Sequence, residues 1–286
     1  RMGGVNGPQA GSMSRLQRGA AWVDSLLVAL VMLVRVTVVT TQRLLAFGLI
    51  VLSTLLLKAG RGRRVVRPMV WGQVRQAGLG LLPFVGLLSV ATGFVIVGQT
   101  VVLLRQFGAQ EVFGTVLVVV LFRELAPLAS ALLVLLRVGT PTVVELATMR
   151  ATGEVEALEA LSIDPVHYLV VPRVLGLAVA VFCLTVYFLI GALGSGYLFL
   201  FLQQVPLGVT AYLNQVAAAL SWGDFLLLLL KSGVFGAAVA VITCYQGLSR
   251  PLRLEQVPEA TTRAVTHCLV VCIAVDLACL GVYLVF

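Results

Sequence analysis

Five apolar runs dominate the sequence, and each is long enough for a helix to cross a lipid bilayer. They are residues 79–104, 112–136, 174–202, 225–248 and 264–286. A helix rises about 1.5 Å per residue, so about 20 apolar residues cross a hydrocarbon core of about 30 Å. A membrane β-barrel would instead show short alternating segments. We therefore expect an all-α polytopic membrane protein, and the run 174–202 is long enough to tilt or to extend beyond the lipid.

Composition supports this class. Charged residues are 11% of the chain and hydrophobic residues 60%, whereas a soluble domain has about 25% charged residues. The net charge of +8 would suggest nucleic acid as a partner of a soluble protein. In a membrane protein it more simply reflects basic cytoplasmic loops, so no nucleic-acid partner is expected.

The N-terminal region is harder to interpret. Residues 1–20 are Gly-rich and unpatterned, which is typical of a flexible tail. Residues 23–34 and 44–57 are apolar but short, and Arg35, Gln42 and Arg43 separate them. Such short segments favour interfacial or re-entrant helices, and a single span across 21–41 is the alternative. Residues 21–78 would then hold these helices and a basic cytoplasmic loop.

Loop charge predicts the topology. The run 58–75, just before the first span, contains six basic residues and no acid: Lys58, Arg61, Arg63, Arg64, Arg67 and Arg75. The loops 145–173 and 250–263 are also charged, whereas 105–111 has little charge and 203–222 has none. Under the positive-inside rule, the five-helix domain 79–286 has a cytoplasmic N-terminus and a C-terminus on the outer side. The uncharged loop 203–222 is expected to form a short helix on the outer surface.

Four ionisable residues lie within the predicted spans: Arg123, Glu124, Lys231 and Asp276. Each costs about 2.5–3.5 kcal/mol at a helix centre, so each is expected to face protein or water and to find a partner. Opposite charges balance, which predicts a cluster between the second, fourth and fifth spans. The pairs would be Glu124–Lys231 and Arg123–Asp276, or the crossed arrangement. A purely structural staple is the alternative to a role in transport.

A proline follows the first two of these charges. Pro127 has no N–H to donate and its ring pushes against the carbonyl of Arg123, four residues earlier. Such a break is tolerated in a membrane where neighbouring helices or a water-filled cavity satisfy the freed carbonyl. Charge and kink together favour the wall of a cavity over a surface that faces lipid.

The loop between the second and third spans contains a short amphipathic helix. One face carries Val155, Leu158 and Leu161, and the remainder carries Glu154, Glu156 and Glu159. A helix on a membrane surface usually has a basic polar face, so this acidic face indicates docking to a partner protein. Asp164 is placed to cap the next helix, with Pro165 at its first position.

The segment 123–173, from RELAPLAS to VHYLVVPR, resembles the signature region of the MlaE family. These proteins are the permease subunits of lipid ABC transporters that work with MCE proteins. ATTR at 260–263 and LKS at 230–232 match further motifs. The departures are Ala126, Leu136, Gly153-Glu154 and Glu259, and none of them removes a charged membrane residue.

The resemblance implies a homodimeric permease in the bacterial inner membrane, flanked by two cytoplasmic ATPase subunits. It would move phospholipid or a related lipid to or from an MCE protein on the outer side. ATP and Mg²⁺ would bind the ATPase, and this chain would bind no cofactor or metal. The acidic helix, at about 148–164, would be the coupling helix to the ATPase, with Arg150 and Asp164 among its residues.

The sequence alone leaves a lipid site and other functions open. The chain has no G-x-x-x-x-G-K-[ST] loop and no H-E-x-x-H motif, which argues against its own ATP chemistry and against a metalloprotease. A secondary transporter or ion channel that uses the buried charges is the runner-up. Helical spacing marks four residues of the first span as lipid-contacting, with ordinary helix packing as the alternative: Leu87, Val90, Phe94 and Val97.

Overall fold

The computed structural model describes residues 42–44, 46–54, 63–108, 112–203, 208–248 and 254–285. The predicted tail 1–20, the apolar segment 23–34 and Lys58 and Arg61 lie outside the described residues. Contacts divide the chain into residues 1–49 and 50–286, and residues 42–44 and 46–54 are helical.

The described residues of the second unit contain no strand and, from Arg63 onward, eight helices apart from a 3₁₀ turn at Leu254–Gln256. They are α1 (Arg63–Leu79), α2 (Leu82–Phe107), α3 (Phe113–Ala151), α4 (Glu154–Ala160), α5 (Val166–Leu202), α6 (Val209–Ala219), α7 (Trp222–Leu248) and α8 (Val257–Val285). Helices α2, α3, α5, α7 and α8 are long and apolar enough to cross a membrane, which confirms the five predicted spans. Helices α3 and α5 have 39 and 37 residues, so at about 1.5 Å per residue both extend beyond the lipid.

Helix α5 lies at the centre of this unit. It packs against α1, α2, α3 and α7, and 50% of its apolar span is buried, against 17% for α8. Gly236 of α7 allows a close approach to the backbone of α5, because an added Cβ would lie 2.6 Å from the carbonyl oxygen of Leu177. Helix α8 is therefore the least buried of the five spans.

From Arg63 onward the basic segment before the first span is helical, which corrects the interpretation of this part as a loop. Helix α1 begins at Arg63 and packs against α5, where Gln73 and the carbonyl of Val70 face Gly176. Its other side leaves Arg67, a basic residue of the predicted loop, exposed to the surroundings. The charge of this segment suggested a loop, but its packing against the buried Gly176 stabilises it as a helix.

Helix α3 is continuous but is not regular. Two π-helical stretches, Val118–Leu125 and Leu135–Gly139, interrupt its α-helical hydrogen bonding. The first ends immediately before Ala126, whose N–H donates to the carbonyl of Leu121. The predicted disturbance at Pro127 therefore takes the form of a widened turn, and such π-bulges often occur at functional sites.

The uncharged loop forms the short helix that the sequence predicts. Helix α6 buries Tyr212, whose hydroxyl donates a hydrogen bond to the Leu193 carbonyl at 3.2 Å. The ring also lies 6.0 Å from that of Phe113, which fixes α6 against the start of α3. Burial raises the pKa of Tyr212 to about 12, so its hydroxyl stays protonated as a donor.

Candidate functional site

Lys231 is the centre of the intramembrane charge cluster. Its side chain is 6% exposed, and Nζ lies 3.0 Å from Glu124 Oε2 of α3 and 2.7 Å from Asp276 Oδ1 of α8. The structure thus brings together charges from the second, fourth and fifth spans. Glu124–Lys231 is one of the expected pairs, and Lys231 also binds the second acid.

Lys231 has a third partner that the proline explains. Its Nζ donates to the backbone carbonyl of Arg123 at 2.5 Å. Because Pro127 has no N–H, the carbonyls of the preceding turn lack one helical donor. The ammonium group takes the place of that donor, so a side chain of α7 satisfies the broken turn of α3.

Arg123 has a partner that the sequence analysis did not identify. Of the two arrangements predicted, the Arg123–Asp276 pair is not among the ion pairs of the described residues, whereas the Lys231–Asp276 contact belongs to the crossed arrangement. Arg123 Nη2 lies 2.7 Å from Asp224 Oδ1, and its Nε donates to the same oxygen at 2.8 Å. Asp276 is already held by Lys231, so the two cations divide three acids between them.

Asp224 also caps the helix on which it lies. Its Oδ2 accepts from the Ser221 N–H at 2.9 Å and from the Ser221 hydroxyl at 3.0 Å. This is the carboxylate half of a capping box, S-x-x-D, at the start of α7. One oxygen thus binds the helix end and the other binds Arg123, which explains why a nearly buried carboxylate is tolerated here.

A small cavity of about 40 Å³ lies beside the cluster. Four charged residues of the cluster line it together with apolar side chains from α3, α7 and α8, among them Phe122, Leu227 and Cys279; the four are Arg123, Glu124, Asp224 and Lys231. The volume is sufficient for about one or two water molecules and is far too small for a lipid. The cluster is therefore internally paired and leaves no room for a lipid beside it.

The predicted coupling helix is present as α4, but it is shorter than 148–164. Residues up to Ala151 still belong to α3, and Gly153 forms the turn between the two helices with a φ of 80°, a left-handed value that favours glycine. Val155 is buried, whereas Leu158 is half-buried and Leu161 lies exposed beyond the end of α4. Val155 thus anchors α4 to this chain, while the other two apolar side chains of the predicted face remain partly or fully exposed.

Arg150 ties α4 to the end of α3. Its Nε lies 3.2 Å from Oε1 of Glu156, and its Nη1 lies 3.8 Å from Oε1 of Glu159. Glu154 remains exposed and accepts a hydrogen bond from Thr152. Asp164 caps α5 as predicted, accepting from the Val166 N–H at 3.0 Å. Arg150 and Asp164 therefore position this region from its two sides.

Three of the four predicted lipid-contacting residues lie on an open apolar surface. Leu87, Val90 and Phe94 are exposed. The ring of Phe94 packs edge-to-face on that of Phe199, with 4.7 Å between the ring centroids. The prediction that Val97 contacts lipid is wrong, because its side chain is buried against Gly196 of α5. A groove of about 540 Å³ continues the surface past Phe94 towards Val102.

Comparison with known proteins gives consistent matches. The family profile described as Permease MlaE covers residues 70–280. A Rickettsia felis protein named "Probable ABC transporter permease protein" is 35% identical over 209 residues, which is 71% of this chain and 80% of that protein. A Synechocystis protein of the same description is 36% identical, over 62% of this chain and 68% of its own length. Arabidopsis TRIGALACTOSYLDIACYLGLYCEROL 1 is 31% identical, over 65% of this chain and 53% of its own length.

Proposed function

The chain belongs to the MlaE permease family of ABC transporters, and on that basis we propose that it moves phospholipid or a related lipid. It acts as a homodimer in a bacterial inner membrane and exchanges the lipid with an MCE protein on the outer side. A separate ATPase subunit binds ATP and Mg²⁺ and supplies the energy. The name of the Arabidopsis relative, which refers to a galactolipid, supports a lipid as the transported molecule.

The observation that carries the proposal is the placement of α4. It follows α3 directly, is anchored by Val155 and Arg150, and leaves Glu154 and Leu161 exposed at one end of the bundle. An acidic helix with an exposed apolar tip suits a groove on a partner protein better than an anionic membrane surface. This end is accordingly the cytoplasmic one, and α4 is the coupling helix.

The lipid path is proposed along the exposed apolar surface of α2. Leu87, Val90 and Phe94 line it, and α8 offers a second surface that is mostly unburied. In a homodimer these surfaces would enclose a cavity at the interface that opens towards the outer side. ATP binding would draw the two coupling helices together and narrow that cavity. The charge cluster, being internally paired, holds α3, α7 and α8 in register.

The first experiment is reconstitution. The chain is co-expressed with its ATPase and MCE partners, and phospholipid transfer is measured from proteoliposomes that contain fluorescent lipid. ATP-dependent transfer and lipid-stimulated hydrolysis are expected. An isolated chain that conducts ions, without association of an ATPase, would contradict the proposal and favour the ion-channel alternative.

The second experiment tests the coupling helix. Leu161→Asp alters an exposed side chain, so folding is expected to be preserved while co-purification of the ATPase falls. Glu259→Lys is the control, because Glu259 is also exposed and lies near the start of α8. Equal ATPase recovery with both variants would remove α4 from the docking surface.

A further inference from the structure

A polar crevice of about 790 Å³ lies between α1 and α3, apart from both the charge cluster and the exposed surface of α2. Arg75, Gln73 and Gln76 line it from α1, and Arg137 lines it from α3. The volume falls within the range of about 300–1,000 Å³ that is usual for small-molecule sites. The crevice is therefore large enough for a ligand group rather than for a single water.

The crevice is positively charged. Among the described residues, neither Arg75 nor Arg137 has an acidic partner within salt-bridge distance. The acid in the lining, Glu145, is held by Arg173 at 2.8 Å, and that arginine side chain is only 7% exposed. Since Arg173 balances Glu145, the two free guanidinium groups determine the charge that a ligand meets.

The position of Arg137 places the crevice at the level of lipid headgroups. About 24 residues separate Arg137 from the start of α3, which corresponds to about 36 Å of helix and exceeds a hydrocarbon core of about 30 Å. On α1, Trp71 is 71% exposed next to Arg67 and Arg75. Tryptophan and arginine together are typical of the membrane–water interface.

The lining is also amphiphilic. Leu79 and Pro141 lie beside the polar residues, so one ligand can meet guanidinium groups and an apolar wall at once. Gly72 contributes no side chain to the crevice, and an added Cβ there would have no heavy atom within 4 Å. Arg137 itself lies in the second π-helical stretch of α3, the kind of irregularity that often accompanies binding sites.

We propose that this crevice binds the phosphate of a phospholipid headgroup, with Arg75 and Arg137 as charge-assisted donors. The amides of Gln73 and Gln76 contribute neutral hydrogen bonds to the same group, and Leu79 and Pro141 contact the adjoining glycerol region. The site does not depend on the proposed transport function, because it concerns binding by the chain alone.

Binding to the full chain in neutral detergent tests the site. Three probes are compared by native mass spectrometry: dioctanoyl phosphatidylglycerol, dioctanoylglycerol, which lacks phosphate, and inorganic phosphate. Phosphatidylglycerol is expected to bind, and Arg75→Gln or Arg137→Gln is expected to weaken it by about tenfold or more, the value of a charged hydrogen bond. Arg67→Gln, on the same helix but outside the crevice lining, is expected to bind like the wild type.

A blocking variant provides a second measurement. Gly72→Phe adds a bulky side chain at a lining position where an added Cβ meets no heavy atom within 4 Å, and its matched control is Gly194→Phe on α5, where an added Cβ also meets nothing within 4 Å. The first variant is expected to abolish phosphatidylglycerol binding and the second to retain it. The proposal is overturned if Arg75→Gln and Arg137→Gln bind as tightly as Arg67→Gln. It is also overturned if dioctanoylglycerol binds equally well, or if inorganic phosphate alone accounts for the binding.

Discussion

The charges of this protein occur in two different settings. Inside the bundle, Lys231 contacts Glu124 and Asp276, and Arg123 contacts Asp224, so cations and acids are matched at distances of 2.7–3.0 Å. In the crevice between α1 and α3, Arg75 and Arg137 are exposed, and among the described residues no acid pairs with them. A buried charge without a partner is very costly, whereas a charge at the membrane surface remains solvated.

The difference indicates what each set of charges is able to do. The charges of the internal cluster are paired with one another across α3, α7 and α8, so the cluster holds three spans together. The crevice retains donors that a ligand can use. Substitutions in the first setting are therefore expected to affect folding, and substitutions in the second are expected to affect binding.

The largest effect is expected from Lys231→Met. The substitution leaves Glu124, Asp276 and the Arg123 carbonyl without their shared donor, and breaking a buried pair costs about 3–5 kcal/mol. The free energy of unfolding in mixed micelles measures the loss. Adding Glu124→Gln and Asp276→Asn to the same chain is expected to recover much of the stability. A single variant as stable as the wild type would show that the cluster does not hold the spans.

An exchange of charge between Glu124 and Lys231 is expected to fail as a rescue. Glutamate at 231 would lie beside Asp276, which the native lysine approaches to 2.7 Å, so one attraction becomes a repulsion. Glu124→Lys with Lys231→Glu should therefore keep most of the loss seen for Lys231→Met. Adding Asp276→Asn should relieve it, as read from the same unfolding measurement. Full recovery by the exchange alone would show that Asp276 is not coupled to the pair.

A smaller effect on stability is expected from Arg150→Gln. Its partners Glu156 and Glu159 are about half exposed, and exposed pairs contribute at most about 1 kcal/mol. Lipid-stimulated ATP hydrolysis should nevertheless fall, because α4 loses its tie to α3. Arg263→Gln removes another exposed pair and is the control. Unchanged hydrolysis in Arg150→Gln would mean that Val155 alone positions α4.

The smallest effect on stability is expected from Arg75→Gln and Arg137→Gln. Neither removes an ion pair within the described structure, and surface substitutions of this kind usually change stability by less than about 0.5 kcal/mol. Thermal unfolding without added lipid measures this. A loss of stability comparable to that of Lys231→Met would show that these arginines hold the fold together, as the internal cluster does. The contrast between the two settings would then disappear.

Much of the architecture could be predicted because its signals are local. Apolar length predicted the five spans, and Asp164 before Pro165 predicted the cap of α5. Asp224 was missed because the fourth span was predicted to begin at residue 225, so Asp224 was not counted among the charges within the spans. The capping-box spacing of Ser221 and Asp224, directly before an apolar run, was a usable signal.

Other features depend on which helices become neighbours. Val97 shares the helical spacing of Leu87, Val90 and Phe94, and only the packing of Gly196 against it buries that position. The crevice likewise requires α1 and α3 to lie side by side, although Arg75 and Arg137 are 62 positions apart in the printed sequence. Periodicity describes one helix at a time, so it does not reveal a surface that two helices share.

Helix α3 connects the charge cluster to α4, the proposed docking surface for the ATPase. About 28 residues, or about 42 Å of helix, separate Arg123 from the end of α3, where Gly153 leads directly into α4. If α3 turns as a lever about the point where Lys231 holds the Arg123 carbonyl, a tilt of about 5° displaces its far end by about 4 Å. A displacement of α4 by less than the ~5.4 Å pitch of a helix would then change the tilt of α3 at the turn before Pro127, where Lys231 contacts it.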